Sequence, residues 1–290
     1  MSDTLKAALW MSGAIFSFSS MAIAARSIAL ELDTFEIMMY RSLAGIAIIL
    51  SIGKMVGSLS QITCRHLGLH LVRNVAHFFG QNLWFYAVTI IPLAQVFALE
   101  FTSPLWVLIF SPFLLGEKLT NTRVFASLIG FAGILMIARP GAAPLSPGLL
   151  AAAASAIGFA FSIIFTKRLT RSETITCILF YLTVVQAGLG VVFAGYDGTI
   201  TIPSLTSLPW LALISCAGLF AHFCLTTALK IAPATFVIPI DFIRLPLIAL
   251  VGAILYGESI DTWFVCGALL IFGGNYFNIL TQTRRKTPNC

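Results

Sequence analysis

Charge is scarce in this chain: only 10% of its 290 residues are Asp, Glu, Lys or Arg, against about a quarter in soluble domains. With 59% of residues hydrophobic, that scarcity excludes a water-soluble globular domain and points to a membrane protein. Spans of about 20 residues with short links leave room for about ten helices and for no separate soluble domain. The sequence also lacks H-E-x-x-H, G-x-S-x-G, a Walker-type loop and a D-x-x-x-D pair on one helix, which argues against an intramembrane enzyme and against ATP as the energy source. None of the six cysteines (Cys64, Cys177, Cys216, Cys224, Cys266, Cys290) forms a C-x-x-C, so neither a zinc site nor a disulfide framework is indicated, and they read as small apolar residues. The formal charge of +6 is dispersed through interhelical loops without interleaved aromatics, so nucleic acid is not an expected partner. Ala22-Ile23-Ala24 resembles a signal-peptidase site, but only Lys6 stands as a basic n-region and the segment is expected to be retained.

What is present is a duplication. Pro92–Glu117 and Pro233–Glu258 share one outline, each beginning at proline and ending in Gly-Glu, and a shift of 141 positions overlays Glu100 on Asp241, Phe101 on Phe242 and Glu117 on Glu258. Apolar runs fall near 5–25, 34–53, 68–90, 92–115, 120–138, 146–166, 174–195, 208–229, 233–256 and 261–281. The fold class expected is an all-α polytopic membrane protein of ten transmembrane helices, arranged as two inverted five-helix repeats over residues 1–141 and 142–282, with a basic tail at 283–290. Inversion follows from the odd number of spans per repeat.

Basic residues give the orientation. With the N-terminus cytoplasmic, the inner side holds twelve (Lys6, Lys54, Arg65, Lys118, Arg123, Lys167, Arg168, Arg171, Lys230, Arg284, Arg285, Lys286) and the outer side two, Arg26 and Arg139. Both termini are therefore expected in the cytoplasm, in a multi-pass protein of the inner membrane. Small residues at helix-face spacing, Gly13 and Ser17 in the first helix and Ala154, Gly158 and Ser162 in the sixth, allow close backbone approach. Prolines 92, 104, 112, 233, 239 and 246 make the fourth and ninth helices the expected bending elements. Pro140, Pro144 and Pro147 mark the central connection.

The third helix carries His70, Arg73, Asn74, His77 and Gln81 on one face, with Trp84 and Phe85 near its outer end. A central arginine costs at least ~2.5–3.5 kcal/mol against lipid, so this stripe is expected to line a watery cavity; the alternative is a packed polar cluster that fixes helix contacts. Glu100 has no basic residue at helical spacing, so burial acts on its charge unopposed and it is the candidate proton-binding group. Asp241 has Arg244 three positions on and is expected to pair with it, which leaves both either structural or part of the site. His77 and His222 also titrate near neutral pH, although a hydrogen-bonded core role suits either. Arg41 contacts substrate or, as the favoured reading, snorkels to the outer interface. Trp84, Phe85, Trp106, Phe242 and Tyr276 are candidates for stacking on a planar ligand. The substrate-binding set is thus Arg73, His77, Gln81, Trp84, Glu100, Asp241, Arg244 and Tyr276, with no catalytic residue, metal ligand or cofactor expected.

FTSPLW followed by LLGEKLT, GFAGILMIARPG and the echo DFIRLPL…YGESID resembles the EamA-type drug/metabolite transporter family over nearly the whole chain. The resemblance implies two five-helix inverted repeats and a central cavity lined mainly by the first, third, fourth, sixth, eighth and ninth helices. It also implies alternating access for small organic metabolites such as amino acids, nucleotide-like compounds including S-adenosylmethionine, and riboflavin. A secondary transporter is therefore expected, with proton coupling and a homodimer left open and the lipid bilayer as its surroundings. The alternative is a channel or facilitator without ion coupling.

Overall fold

The computed structural model describes residues 2–28, 31–117, 119–138, 146–258 and 262–284, and no strand occurs among the described residues. Among the described residues twelve α-helices follow in chain order: α1 (Asp3–Ile28), α2 (Thr34–Met55), α3 (Leu67–Ile90), α4 (Leu93–Glu100), α5 (Ser103–Leu115), α6 (Asn121–Ala138), α7 (Pro147–Leu169), α8 (Ile175–Ala194), α9 (Leu208–Ile231), α10 (Ala234–Ile240), α11 (Arg244–Tyr256) and α12 (Thr262–Arg284). They fall on the ten expected segments, the fourth and ninth each being divided in two. Lys118, Arg139, Arg285 and Lys286, which contribute to the expected orientation, and Pro140 and Pro144 of the central connection lie outside the described residues.

Seven segments of the described residues are long and apolar enough to cross a membrane, the α4–α5 stretch and residues 236–256 each counting as one, and α6 adds a shorter apolar run at Val124–Met136. At 24 residues α3 is long enough as well, about 36 Å at 1.5 Å per residue, but its polar face lowers its hydropathy. Phe16, Phe113, Val192, Ile254 and Leu269 point outward and are mostly exposed. Apolar helices with such an exterior are those of a multi-pass membrane protein, whose backbone polar groups are satisfied within each helix.

Local chemistry sets the helix starts. Asp33 and Glu36 form a capping box on α2, and Ser146 and Thr174 cap α7 and α8 by accepting from Leu149 N and Cys177 N. The main pairings are α1 on α9, α3 on α7, α2 on α8 and α6 on α12. Under the 141-residue shift the first two pairings exchange into each other and the last two map onto themselves.

The α3–α7 pair is close because it is built on glycine. A Cβ placed on Gly158 would lie 2.9 Å from both Ala76 O and Gly80 Cα, and these backbone atoms have no rotamer by which to retreat. Gly158→Ala is therefore expected to cost about 1–3 kcal/mol, read as a lowered melting temperature in lipid nanodiscs. Gly188→Ala, where nothing lies within 4 Å, should be close to neutral; equal effects at the two positions would refute the close approach.

The Gly-Glu endings have a structural reason. Gly116 and Gly257 close α5 and α11 in the left-handed region, at φ 68° and 65°, where a side chain is disfavoured. Each following glutamate then reaches across to the other half. Glu117 Oε1 accepts from Ala234 N at 3.0 Å, at the start of α10, and Glu258 Oε1 accepts from Leu93 N at 3.1 Å, at the start of α4. Arg26 holds Glu258 in place at 2.7 Å, while Lys167 donates to Leu229 O and Ala232 O just before α10.

The proline-rich helices break rather than bend. α4 ends at Glu100, Phe101 and Thr102 form a turn, and α5 restarts with Pro104 in its first turn, where the missing N–H does no harm. In the other half a 3₁₀ turn at Asp241–Ile243 separates α10 from α11. Both breaks bring a carboxylate to the interior.

Candidate functional site

At the two breaks, charge gathers from both halves. Arg244 Nη2 lies 2.5 Å from Glu100 Oε1 and 2.7 Å from Asp241 Oδ2, and Trp84 Nε1 donates to Glu100 Oε2 at 2.6 Å. Glu100 and Arg244 are 6% and 4% exposed. The Arg244 guanidinium also stands 5.0 Å from the ring centres of Phe18, Phe97 and Phe101, a cation–π environment that partly replaces lost hydration. Two carboxylates to one guanidinium leave a formal charge of −1 when all three are ionised. A proton or a cationic group of a ligand would neutralise it.

This finding corrects the expectation that Glu100 is without a cation and that Asp241 alone holds Arg244. Spacing along one helix cannot reveal a guanidinium that arrives from the other half. Arg41 is corrected too: it does not snorkel to an interface but is 6% exposed, with Nη1 at 3.8 Å from Met21 Sδ, in a recess it shares with Ser42, Gln186 and Ser215.

The polar face of α3 divides along its length. His70 and Asn74 turn to α8: the His70 ring lies 4.4 Å from that of Tyr181, and Asn74 Nδ2 donates to Tyr181 O at 3.2 Å. Arg73, His77, Gln81 and Trp84 turn to a central cavity. Arg73 is held by hydrogen bonds to Thr166 Oγ1 at 3.0 Å and to Asn74 Oδ1 at 2.7 Å. The His77 and His222 rings meet edge to face at 4.7 Å, and Phe18 packs against His222 at 5.4 Å.

Seven of the eight anticipated residues, Arg73, His77, Gln81, Trp84, Glu100, Asp241 and Arg244, line this one cavity, which has a volume of about 60 Å³. Tyr276 is apart from it, 66% exposed on α12. Phe85 lies in the apolar core, 1% exposed, beside Trp84. The walls come from α1, α3, α4, α5, α7, α9, α10 and α11, which are the first, third, fourth, sixth, eighth and ninth of the ten expected segments. Phe18, Met21, Phe159, Ser162, Thr166 and His222 also line it and were not in the anticipated set. The 141-residue shift held the signal for some of them: it carries Phe18 onto Phe159, Gln81 onto His222 and Ser103 onto Arg244.

Several buried polar atoms around the cavity have no hydrogen-bond partner: His77 Nε2, Gln81 Nε2, both ring nitrogens of His222, Asp241 Oδ1 and Arg244 Nε. A buried unsatisfied polar group costs about 1–3 kcal/mol. These atoms share the cavity wall with Phe18, Trp84 and Phe159, a mixture of apolar rings and a few polar groups of the kind that holds a small ligand.

Comparison with known proteins gives the following. The family model described as the EamA-like transporter family matches twice, over residues 5–139 and 146–280. The chain is similar to an S-adenosylmethionine uptake transporter of Rickettsia prowazekii, 27% identical over 98% of this chain and 97% of that one. It is also similar to a riboflavin transporter of Brucella anthropi, 33% identical over 73% of this chain and 76% of that one. A solved crystal structure superposes with a TM-score of 0.79 at 20% identity, covering 97% of this chain and 99% of its own; at that identity the likeness speaks for the fold.

Proposed function

The chain belongs to the EamA-like transporter family, and on that premise we propose that it is a secondary transporter which carries a small organic metabolite through the central cavity by alternating access. The substrate class we favour is a heteroaromatic compound of nucleoside-like or flavin-like type. The relatives named for S-adenosylmethionine and for riboflavin support it, since both compounds present a flat ring with hydrogen-bonding edges. The observation that carries the reading is the set of unpartnered buried donors and acceptors facing an aromatic-walled cavity. The cavity, about 60 Å³, has room for a few waters, and in this reading the halves move apart to admit the metabolite. That motion favours a carrier over a channel.

Motion of this kind has a natural basis in two inverted repeats, residues 1–141 and 142–282. The double family match and the exchange symmetry of the helix pairings support that arrangement. Each repeat then spans five times, its fourth span broken at a carboxylate. Residence in the inner membrane with both termini cytoplasmic accords with the charge distribution. A reporter fused after Cys290 is expected to report cytoplasm and one inserted between Pro144 and Ser146 the outer side; both on one side would contradict the odd-span repeat.

The site itself is tested by a thermal-shift screen of the purified protein against S-adenosylmethionine, riboflavin, nucleosides and amino acids. A ligand at 100 times its Kd adds about 2.7 kcal/mol to the folded state, so at least one heteroaromatic compound should raise the melting temperature measurably. Gln81→Leu should weaken that shift by removing a hydrogen-bond donor from the cavity wall. A shift that persists undiminished in Gln81→Leu would place the ligand elsewhere, and a response to amino acids alone would overturn the substrate class.

A further inference from the structure

Away from the central cavity, the structure gathers a second group of chemically active side chains where the loop before α3 meets the loop before α8. His70 lies in the first turn of α3, Glu173 just precedes α8 and Cys177 lies in its first turn. One ligand atom from each of the three lies within 4.8 Å of the other two, and His70 Nε2 stands 3.9 Å from Cys177 Sγ. His70 and Glu173 are 0% and 6% exposed, yet His70 Nδ1 and Glu173 Oε1 have no hydrogen-bond partner. His66, one turn before His70, places Nε2 at 4.0 Å from that same Glu173 oxygen while its side chain stays 37% exposed.

We propose that His66, His70, Glu173 and Cys177 form a binding site for a divalent transition metal of the Zn²⁺ class. Thr63 Oγ1 donates to Glu173 Oε2 at 3.0 Å and Cys177 Sγ donates to Thr63 O at 3.7 Å, yet Glu173 Oε1 stays without a hydrogen bond and His70 Nε2 faces the thiol. One thiolate, two imidazoles and one carboxylate make a donor set that Zn²⁺ takes readily. Bonds of about 2.0–2.3 Å in a tetrahedron put donor atoms roughly 3.3–3.6 Å apart, so shifts of about an ångström bring His70, Glu173 and Cys177, now within 4.8 Å of one another, onto an ion, with His66, 4.0 Å from Glu173, as the fourth donor. The exposed His66 gives the ion a route from water. Metal entry displaces the thiol proton to solvent, leaving Cys177 as thiolate. Because the ligands lie at the starts of α3 and α8 and in the residues just before them, on opposite sides of the duplication, a bound ion would fasten the two halves together at this end. Local spacing conceals the site: the ligands lie on separate helices and no C-x-x-C joins them.

The test is a Co²⁺ titration of the purified full chain in lipid nanodiscs. The expected result is one Co²⁺ per chain, with tetrahedral d–d bands and a thiolate-to-metal charge-transfer band, displaced by Zn²⁺. Cys177→Ser should lose the charge-transfer band and weaken binding by more than the ~10–100-fold typical of an outer-shell partner, whereas Cys64→Ser should keep both. No saturable Co²⁺ absorption in the unaltered chain would overturn the proposal, as would a charge-transfer band that survives Cys177→Ser and disappears in Cys64→Ser. X-ray absorption of the unaltered chain loaded with Zn²⁺ gives an answer that depends on no variant folding. One sulfur among nitrogen and oxygen neighbours is expected, and a shell without sulfur would refute the assignment.

Discussion

Arg244→Met is expected to destabilise the folded chain by about 3–5 kcal/mol, the usual penalty for stripping a buried ion pair of one member. The effect should sit at the high end because one guanidinium serves two carboxylates, Glu100 at 2.5 Å and Asp241 at 2.7 Å. Methionine keeps much of the side chain's apolar length among Phe18, Phe97 and Phe101 and loses the guanidinium that stands over their rings, so lost charge rather than lost volume dominates. The combined variant Arg244→Met, Glu100→Gln, Asp241→Asn removes the three charges of this triad and should recover most of the stability, while substrate transport stays absent because the two carboxylates and their counter-ion are lost from the cavity wall. Denaturation midpoints of the three proteins in the same nanodiscs decide the point. An unchanged midpoint in Arg244→Met would mean that the guanidinium is not the counter-ion, and a combined variant as unstable as the single one would mean that packing, not charge, set the loss.

Glu100→Gln is expected to abolish gradient-driven transport with only a modest effect on folding. Asp241 still pairs with Arg244 in this variant, and a glutamine oxygen still accepts from Trp84 Nε1, so no buried charge is stranded. The excess carboxylate is lost. If that excess is what takes up a proton and loosens Arg244 from α4, gradient-driven accumulation disappears while exchange of substrate for substrate continues, since exchange needs no net proton movement. One pH unit is worth about 1.4 kcal/mol, so a neutral solute moving with one proton would accumulate ~10-fold in the unaltered protein and not at all in Glu100→Gln. Accumulation unchanged in Glu100→Gln would remove Glu100 from any coupling role. Asp241→Asn is the informative companion. The structure leaves Arg244 paired with Glu100 in that variant, so it should fold, contrary to what the Asp241–Arg244 spacing alone implies.

Periodicity made the helices legible because each apolar run had to be about as long as a membrane is thick, and polar or Pro/Gly-rich links marked the ends. The shift of 141 residues also exposed the repeat and drew attention to Glu100, Asp241 and the Gly-Glu endings before their contacts were known. Contacts between the halves were not legible. Arg244 reaching Glu100, Glu117 and Glu258 capping helices of the opposite half, and His70 meeting Cys177 are all through-space pairings of residues far apart in sequence. Arg41 departs from the snorkelling expectation for a related reason: snorkelling depends on where a helix is turned, and α2 turns Arg41 toward α1 and α9, with Met21 and Gly218 against its guanidinium. The broken helices were half legible. Prolines signalled a weakness, but whether a helix bends or breaks depends on what satisfies the freed backbone groups, and here a tight turn does so.

Counterflow in proteoliposomes tests the central claim, that this chain is a carrier with one alternating site. Vesicles preloaded with unlabelled substrate, identified by the thermal-shift screen, are diluted into a trace of labelled substrate with no ion gradient. The account predicts transient accumulation of label above its external concentration, saturable and inhibited by excess external substrate, in the unaltered protein and in Glu100→Gln alike. Label that only equilibrates, at a rate proportional to concentration and indifferent to the internal load, would contradict it and establish a channel.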